Sequence, residues 1–175
     1  MIAGDILIRI ATPQDVAFLP DVEQAASQSF RQIPHLAWIA EADNLPVEFH
    51  ERQIAAHRTW VAAGRSDRPV GFITVEPHGD MLHIVELSVA AEFQGRGIGR
   101  ALIDHVVRHA RNHSFSAVTL TTFREIAWNA PFYQRFGFEA LAERDLDEFL
   151  LDCIEREEKA GFQRAERCVM SMKLG

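Results

Sequence analysis

The chain is short of cysteine. Its 175 residues include only Cys153 and Cys168, which form neither a CxxC pair nor a zinc-ligand spacing. That excludes a disulfide-stapled scaffold and a Cys-rich metal module, and fits two free thiols in a reducing, cytoplasmic compartment. Basic charge is also in deficit, with 18 Lys and Arg against 25 Asp and Glu and a formal charge of -7. Binding to a phosphate backbone needs concentrated Lys and Arg, so nucleic acid is not an expected partner. No stretch approaches the roughly 18 uninterrupted apolar residues of a membrane span. The opening segment to Ile10 carries Asp5 and lacks a basic n-region, so neither a membrane nor secretion is expected. Repeats, linkers and low-complexity tracts are missing too. What is present is 47% hydrophobic and 25% charged, the make-up of one domain over residues 1–175, long enough to bury roughly 70% of its unfolded surface.

The order of elements follows from local pattern. Ile6 to Ile10 reads as a strand, and Thr12-Pro13-Gln14-Asp15 as an N-cap, a Pro at N1 and an acidic N3. Pro20 divides the next segment into a short helical turn and a better helix to about Phe30. Gln32 to Pro46 has no clean period and is expected to be an irregular substrate loop; a helix from Pro46 to about His57 comes after it. Thr59 to Ala62, Val70 to Glu76 and Met81 to Ala90 read as an antiparallel meander. From Gly97 to about Arg111, Ile98, Leu102, Val106 and Ala110 recur at helical spacing, with Arg100, Asp104, Arg108 and Arg111 opposite. A strand at Ala117 to Thr122, a short helix at Ala127 to Phe136 stopped by Gly137, and a strand at Phe138 to Ala142 come next. An amphipathic helix through Leu146, Phe149, Leu150, Cys153 and Ile154 precedes a final strand from Arg167 to Leu174. Strand–helix–strand order implies a parallel crossover within an otherwise antiparallel sheet of about seven strands, an α/β (α+β) class.

Gln94-Gly95-Arg96-Gly97-Ile98-Gly99-Arg100 joins an apolar strand to the clearest helix. Free backbone N–H groups at a helix start favour an anion, phosphate above all, and glycines let the main chain approach closely with positive φ. The side chains of Arg96 and Arg100 can add charge. A nucleoside triphosphate loop needs Lys then Ser or Thr after its last glycine, where Arg100-Ala101 stands. A dinucleotide fingerprint needs Gly or Ala where Arg100 is and an acid near Thr119-Leu120-Thr121-Thr122. Both fit poorly. A tight turn without a ligand is the remaining plain reading of the glycines.

The match that remains is Gln-x-x-Gly-x-Gly after Glu86-Leu87-Ser88-Val89, and it resembles the GCN5-related N-acetyltransferases, the GNAT superfamily. The resemblance extends to Ala127-Trp128-Asn129-Ala130-Pro131-Phe132-Tyr133-Gln134-Arg135-Phe136-Gly137-Phe138, similar to that family's helix with a tyrosine four residues before Gly-Phe. It implies a V-shaped slot between the fourth and fifth strands and acetyl-CoA as cosubstrate, without a metal. The loop Gln94, Gly95, Arg96, Gly97, Ile98, Gly99 and Arg100 would cradle the pyrophosphate, and Leu87, Ser88 and Val89 would pair with pantetheine. Asn129 and Phe132 would add cofactor contacts, although Asn129 lies nearer the tyrosine than the family's helix-starting asparagine.

Acetyl transfer to an amine needs a neutral nucleophile, a donor aimed at the developing oxyanion and a proton for the departing thiolate. The resemblance implies a bulge near Leu87 to Val89, with the acetyl carbonyl directed at Val89, and Tyr133 as the acid; a packed aromatic is the plain alternative for Tyr133. For the base, His83 holds the position from which family members draw a His or Glu, while Glu86 immediately precedes the pantetheine segment; a water chain is the third choice. In a regular strand His83 and Glu86 face opposite sides, which a bulge would alter. Their plain readings are a hydrogen-bonded strand histidine and a carboxylate paired with an arginine.

His105, His109 and His113 share one helical row, but imidazoles at the border of an apolar face commonly pack their rings, and no acidic or Cys ligand joins them. The acidic run from Glu139 to Glu158 reads as a solvated helix face that can attract a cationic amine. Arg31 to Phe49 and Phe123 to Trp128, with Trp38, Trp128 and Phe123, are expected to shape the acceptor side or to pack in the core. The expected acceptor is a primary amine of a small molecule, peptide or protein. A second copy, if one is met, is expected along the last strand and the acidic helix. A noncatalytic CoA-binding sensor and a dinucleotide oxidoreductase are the competing functions.

Overall fold

The computed structural model describes residues 6–175; residues 1–5, part of the segment that argues against a leader, lie outside the described residues. Strand β1 (Leu7–Ile10) leads into a 3₁₀ turn at Pro13–Phe18, where Asp15 and Thr12 form the capping box their spacing calls for. Pro20 then sits in the first turn of helix α1 (Leu19–Ser27), the position at which its missing N–H does least harm. Helix α2 (Val47–Ala55) follows Pro46. The meander is β2 (Thr59–Ala63), β3 (Pro69–His78) and β4 (Met81–Val89). Helix α3 (Ile98–Asn112) connects to β5 (Ala117–Phe123), then α4 (Ala130–Gln134), β6 (Glu139–Ala140), α5 (Glu148–Lys159) and β7 (Arg167–Lys173).

The strands bond in the order β1-β2-β3-β4-β5-β7-β6, a seven-stranded sheet. Its β1–β2, β2–β3, β5–β7 and β6–β7 ladders are antiparallel, and β4–β5 is parallel, as the α3 crossover requires. This is the mixed α/β class expected. Strand β7 inserts between β5 and β6, so the second strand–helix–strand unit runs parallel without its strands pairing.

The chain divides into two compact units. The first comprises residues 6–75 and 86–106, the second residues 76–85 and 107–175. In the first, Ala11, Leu19, Val22, Ile54, Val61 and Phe72 form a core beneath α1 and α2. In the second, Leu150 and Ile154 of α5 pack on Val169 of β7. The residues picked out on α3 are all buried, with Ile98, Leu102, Val106 and Ala110 at 1% exposure or less.

Three elements differ from expectation. The stretch after Ile33 is a 3₁₀ helix, Pro34–Glu41, rather than an irregular loop. Leu36 and Ala40 are buried there, a single pair four residues apart that is too short a pattern to mark a helix in the sequence. Helix α4 is only five residues, since Pro131 fixes its first turn and Gly137, at φ 92°, ends it. Strand β6 is two residues on the sheet's edge, where one partner supplies all its bonds.

Candidate active site

Strand β4 ends at Val89, a 3₁₀ turn spans Ala91–Phe93, and α3 starts at Ile98. Gly95 and Gly97 take φ of 73° and 80°, and a Cβ on either would meet nothing within 4 Å. Conformation alone therefore asks for glycine at both positions. The Gln94 amide donates from Nε2 to the Val89 carbonyl at 2.9 Å, and Ser29 Oγ donates to Gln94 Oε1 at 3.2 Å, which ties the loop's first residue to the strand and to the 3₁₀ turn Gln28–Gln32 that follows α1. Ala101 N–H donates to Gly97 O at 3.0 Å within the first turn of α3. The amides of Gly95, Arg96, Gly97, Ile98 and Gly99 are uncommitted donors at the start of a fifteen-residue helix. The arginines are already engaged: Arg96 donates to Glu92 O at 2.8 Å and lies over the Phe93 ring, and Arg100 faces Asp104 at 3.6 Å. What the loop leaves uncommitted is its main chain.

Gly71 was not expected to matter. A Cβ there would lie 3.0 Å from the Ser88 carbonyl and 3.2 Å from Val89 Cγ2, so only glycine lets β3 approach the segment before the loop. An isolated glycine inside a strand pattern is the sequence mark of such an approach.

On β4 itself, Ser88 Oγ donates to Glu86 Oε1 at 2.6 Å. Ala90 N–H bonds Val70 O, so Val89, one residue earlier, directs its N–H away from β3. Gly79 and Asp80 join β3 to β4. The β4–β5 ladder pairs Met81–Ile84 with Ala117–Leu120 and ends there, as a splayed pair does.

The remaining site residues belong to the second unit. His83 is 5% exposed, with Nδ1 2.9 Å from Thr119 Oγ1 and its ring edge-on to Phe149. Burial pushes its pKa down to about 4. Tyr133 is buried, edge-on to both Phe132 and Phe138. Phe132 also meets Phe136 edge-on, and the Arg135 guanidinium lies 5.6 Å from its centroid. Asn129 immediately precedes α4, so the shortened helix makes it the helix-starting asparagine despite its spacing from Tyr133. Its Nδ2 donates to Thr122 Oγ1 at 3.0 Å, while its Oδ1 is buried with no hydrogen-bond partner. An orphaned acceptor of this kind is rare, and fits a group that a ligand completes.

The other candidates divide between the core and the surface. Phe123 is buried against Phe162 and under Arg167, whose guanidinium grips Glu157 with two bonds of 2.7 and 2.8 Å. Trp38 and Trp128 are 39% and 41% exposed. His109 and His113 stack at 4.0 Å, and His105 lies against Trp60. Among the described residues no group of three or more His, Cys, Asp or Glu is placed to hold a metal ion. The acidic helix α5 is mostly solvated, with Glu158 and Glu143 bound to Arg164.

Comparison with known proteins decides the family. Residues 20–138 match the acetyltransferase (GNAT) family, a span that holds both the glycine loop and the Tyr133 motif and closes on Phe138. The chain belongs to the GNAT acetyltransferase family. An uncharacterized N-acetyltransferase of Methanocaldococcus jannaschii is 33% identical over 79 residues, covering 41% of this chain and 35% of that protein. The peptidyl-lysine N-acetyltransferase YjaB of Escherichia coli is 26% identical over 89 residues, covering 51% and 54%. The chain thus spans about a third to a half of the length of these curated relatives. Solved GNAT-type structures share the fold over nearly the whole chain. The PaiA N-acetyltransferase of Thermoplasma acidophilum, in complex with coenzyme A, superposes with a TM-score of 0.70 at 17% identity, over 96% of this chain and 98% of that one. The ribosomal-protein-S18-alanine N-acetyltransferase of Escherichia coli gives 0.70 at 13% identity, over 97% and 94%.

Proposed function

We propose that this GNAT protein transfers the acetyl group of acetyl-CoA to a primary amine of a small molecule or peptide, by direct attack in a ternary complex within one domain. The observation that carries this reading is the row of uncommitted amides from Gly95 to Gly99 at the head of α3, where a diphosphate is the natural guest. Leu87, Ser88 and Val89 offer strand backbone to the pantetheine arm past the end of the β4–β5 ladder. Phe132 of α4 is assigned a further contact with the cofactor.

When bound, acetyl-CoA supplies a thioester whose carbonyl carbon accepts the amine nitrogen as the C–S bond breaks. The Val89 N–H, turned away from β3, is the donor for charge developing on the carbonyl oxygen, an effect of a few kcal/mol. Tyr133 gives its hydroxyl proton to the departing sulfur. Glu86 takes the proton the amine loses, oriented by the Ser88 hydroxyl. His83 is the weaker choice for the base, because its ring is buried under Phe149 and its Nδ1 is already paired with Thr119 Oγ1. The net charge of -7 favours approach of a cationic amine. No helix among the described residues is long and apolar enough to cross a membrane, and two free thiols suit a cytoplasmic setting.

Calorimetric titration with CoA, followed by thiol release from acetyl-CoA with a panel of amines, tests the reading. Binding with amine-dependent release is expected. Binding without release would make the protein a CoA sensor, and absence of binding would overturn the reading altogether.

A further inference from the structure

The orphaned Asn129 oxygen raises the question of what fixes the amide that carries it. A primary amide can present either its oxygen or its NH₂ to a ligand, and the two orientations differ only in the partners they find. Here Nδ2 has a partner, Thr122 Oγ1 at 3.0 Å, and Oδ1 has none although it is buried. Thr122 is itself 3% exposed and lies in the β5 ladder opposite Cys168, so its backbone is held by the sheet. Asn129 is held by its main chain at the start of α4, its N–H on Ile126 O at 2.8 Å and its carbonyl accepting from the N–H groups of Phe132 and Tyr133 at 2.8 and 3.1 Å. Its side-chain amide is oriented by Thr122 Oγ1.

We infer that Thr122 is a positioning residue for the acyl carrier: by accepting from Asn129 Nδ2 it holds the amide with Oδ1 outward from the strand, ready to accept an N–H of the pantetheine arm. This deepens the acetyl-CoA reading and rests on it. Pantetheine carries two amide N–H groups, so a fixed acceptor matches its chemistry, whereas the donors of the adenosine portion are the adenine amino group and the ribose 2′-hydroxyl, at the far end of the carrier from the thioester. Thr122 touches neither the carrier nor the reacting atoms; it acts through Asn129.

The test is a double-mutant cycle read by calorimetry. Thr122→Val keeps the shape and removes the hydroxyl; Thr122→Ser keeps the hydroxyl. Thr122→Val is expected to weaken CoA binding about 5- to 10-fold, the size of one hydrogen bond, and to raise KM for acetyl-CoA in proportion while kcat moves less than about twofold. Thr122→Ser is expected to restore the affinity. Asn129→Ala is expected to cost as much as Thr122→Val, and adding Thr122→Val to it to cost nothing more. Adenosine 3′,5′-bisphosphate, which lacks the arm, is expected to bind wild type and Thr122→Val alike. The proposal is overturned if Thr122→Val binds CoA as wild type does, if the two substitutions add independently, or if the bisphosphate loses as much as CoA. A variant with lowered thermal stability is read through Thr122→Ser: if serine restores stability without restoring affinity, the proposal also fails. Wild-type protein that binds no CoA would instead sink the acetyl-CoA reading itself.

Discussion

His83 Nδ1 and Thr119 Oγ1 lie 2.9 Å apart on adjacent parallel strands, beneath the ring of Phe149. The arrangement keeps the imidazole neutral, because the folded chain resists a proton that the unfolded chain accepts. Above pH 6.5 both states hold His83 neutral, and its full contribution is present. Between 6.5 and about 4 the unfolded state binds the extra proton, so stability falls as pH falls. The loss assigned to this group is about 2 kcal/mol between pH 7 and pH 5. Urea denaturation at the two pH values should show His83→Asn less stable at pH 7 but shallower in its acid dependence. Equal acid dependence in both proteins would mean that His83 is not held neutral.

Glu86 carries the proposed base. Glu86→Gln should lower kcat about 100-fold or more at saturating amine, with CoA affinity by calorimetry kept within about twofold. His83→Asn should lower it less than about fivefold. The reverse order would return the base to the histidine.

At the loop, Gly97→Glu forces a side chain into φ 80° and adds a negative charge where the diphosphate is proposed to sit. CoA binding should disappear from calorimetric titration. Gly97→Ala isolates the backbone part, since its Cβ meets open space; strain of about 1–2 kcal/mol is expected, with binding weakened rather than lost. Wild-type CoA affinity in Gly97→Glu would contradict the loop assignment.

Tyr133→Phe keeps the ring between Phe132 and Phe138 and removes the hydroxyl. Turnover should fall about 100-fold with CoA affinity preserved, the pattern of an interaction made only in the transition state. Unchanged turnover would leave Tyr133 a packing residue.

Much of this was legible in the sequence because it depends on local chemistry. The helix Ile98–Asn112 shows itself through a four-residue recurrence of buried residues, and the loop through glycines whose positive φ is a local demand. Long-range packing was not legible. Nothing near His83 in sequence announces Phe149, which reaches it from α5, and only the folded chain shows that the ring is sealed and neutral. Gly71 and Thr122 escaped for the same reason: their partners, Ser88 and Asn129, are set by strand approach and by a turn. The Pro34–Glu41 segment was missed because its one buried pair, Leu36 and Ala40, is too short a pattern to stand out from loop.

Tyr133 is the only tyrosine in the chain. A fluorotyrosine incorporated during expression would therefore give one fluorine resonance, arising from the ring that Phe132 and Phe138 enclose. That lone line would follow carrier loading and acceptor exchange in real time, without a tag, a chromophore or an added label elsewhere.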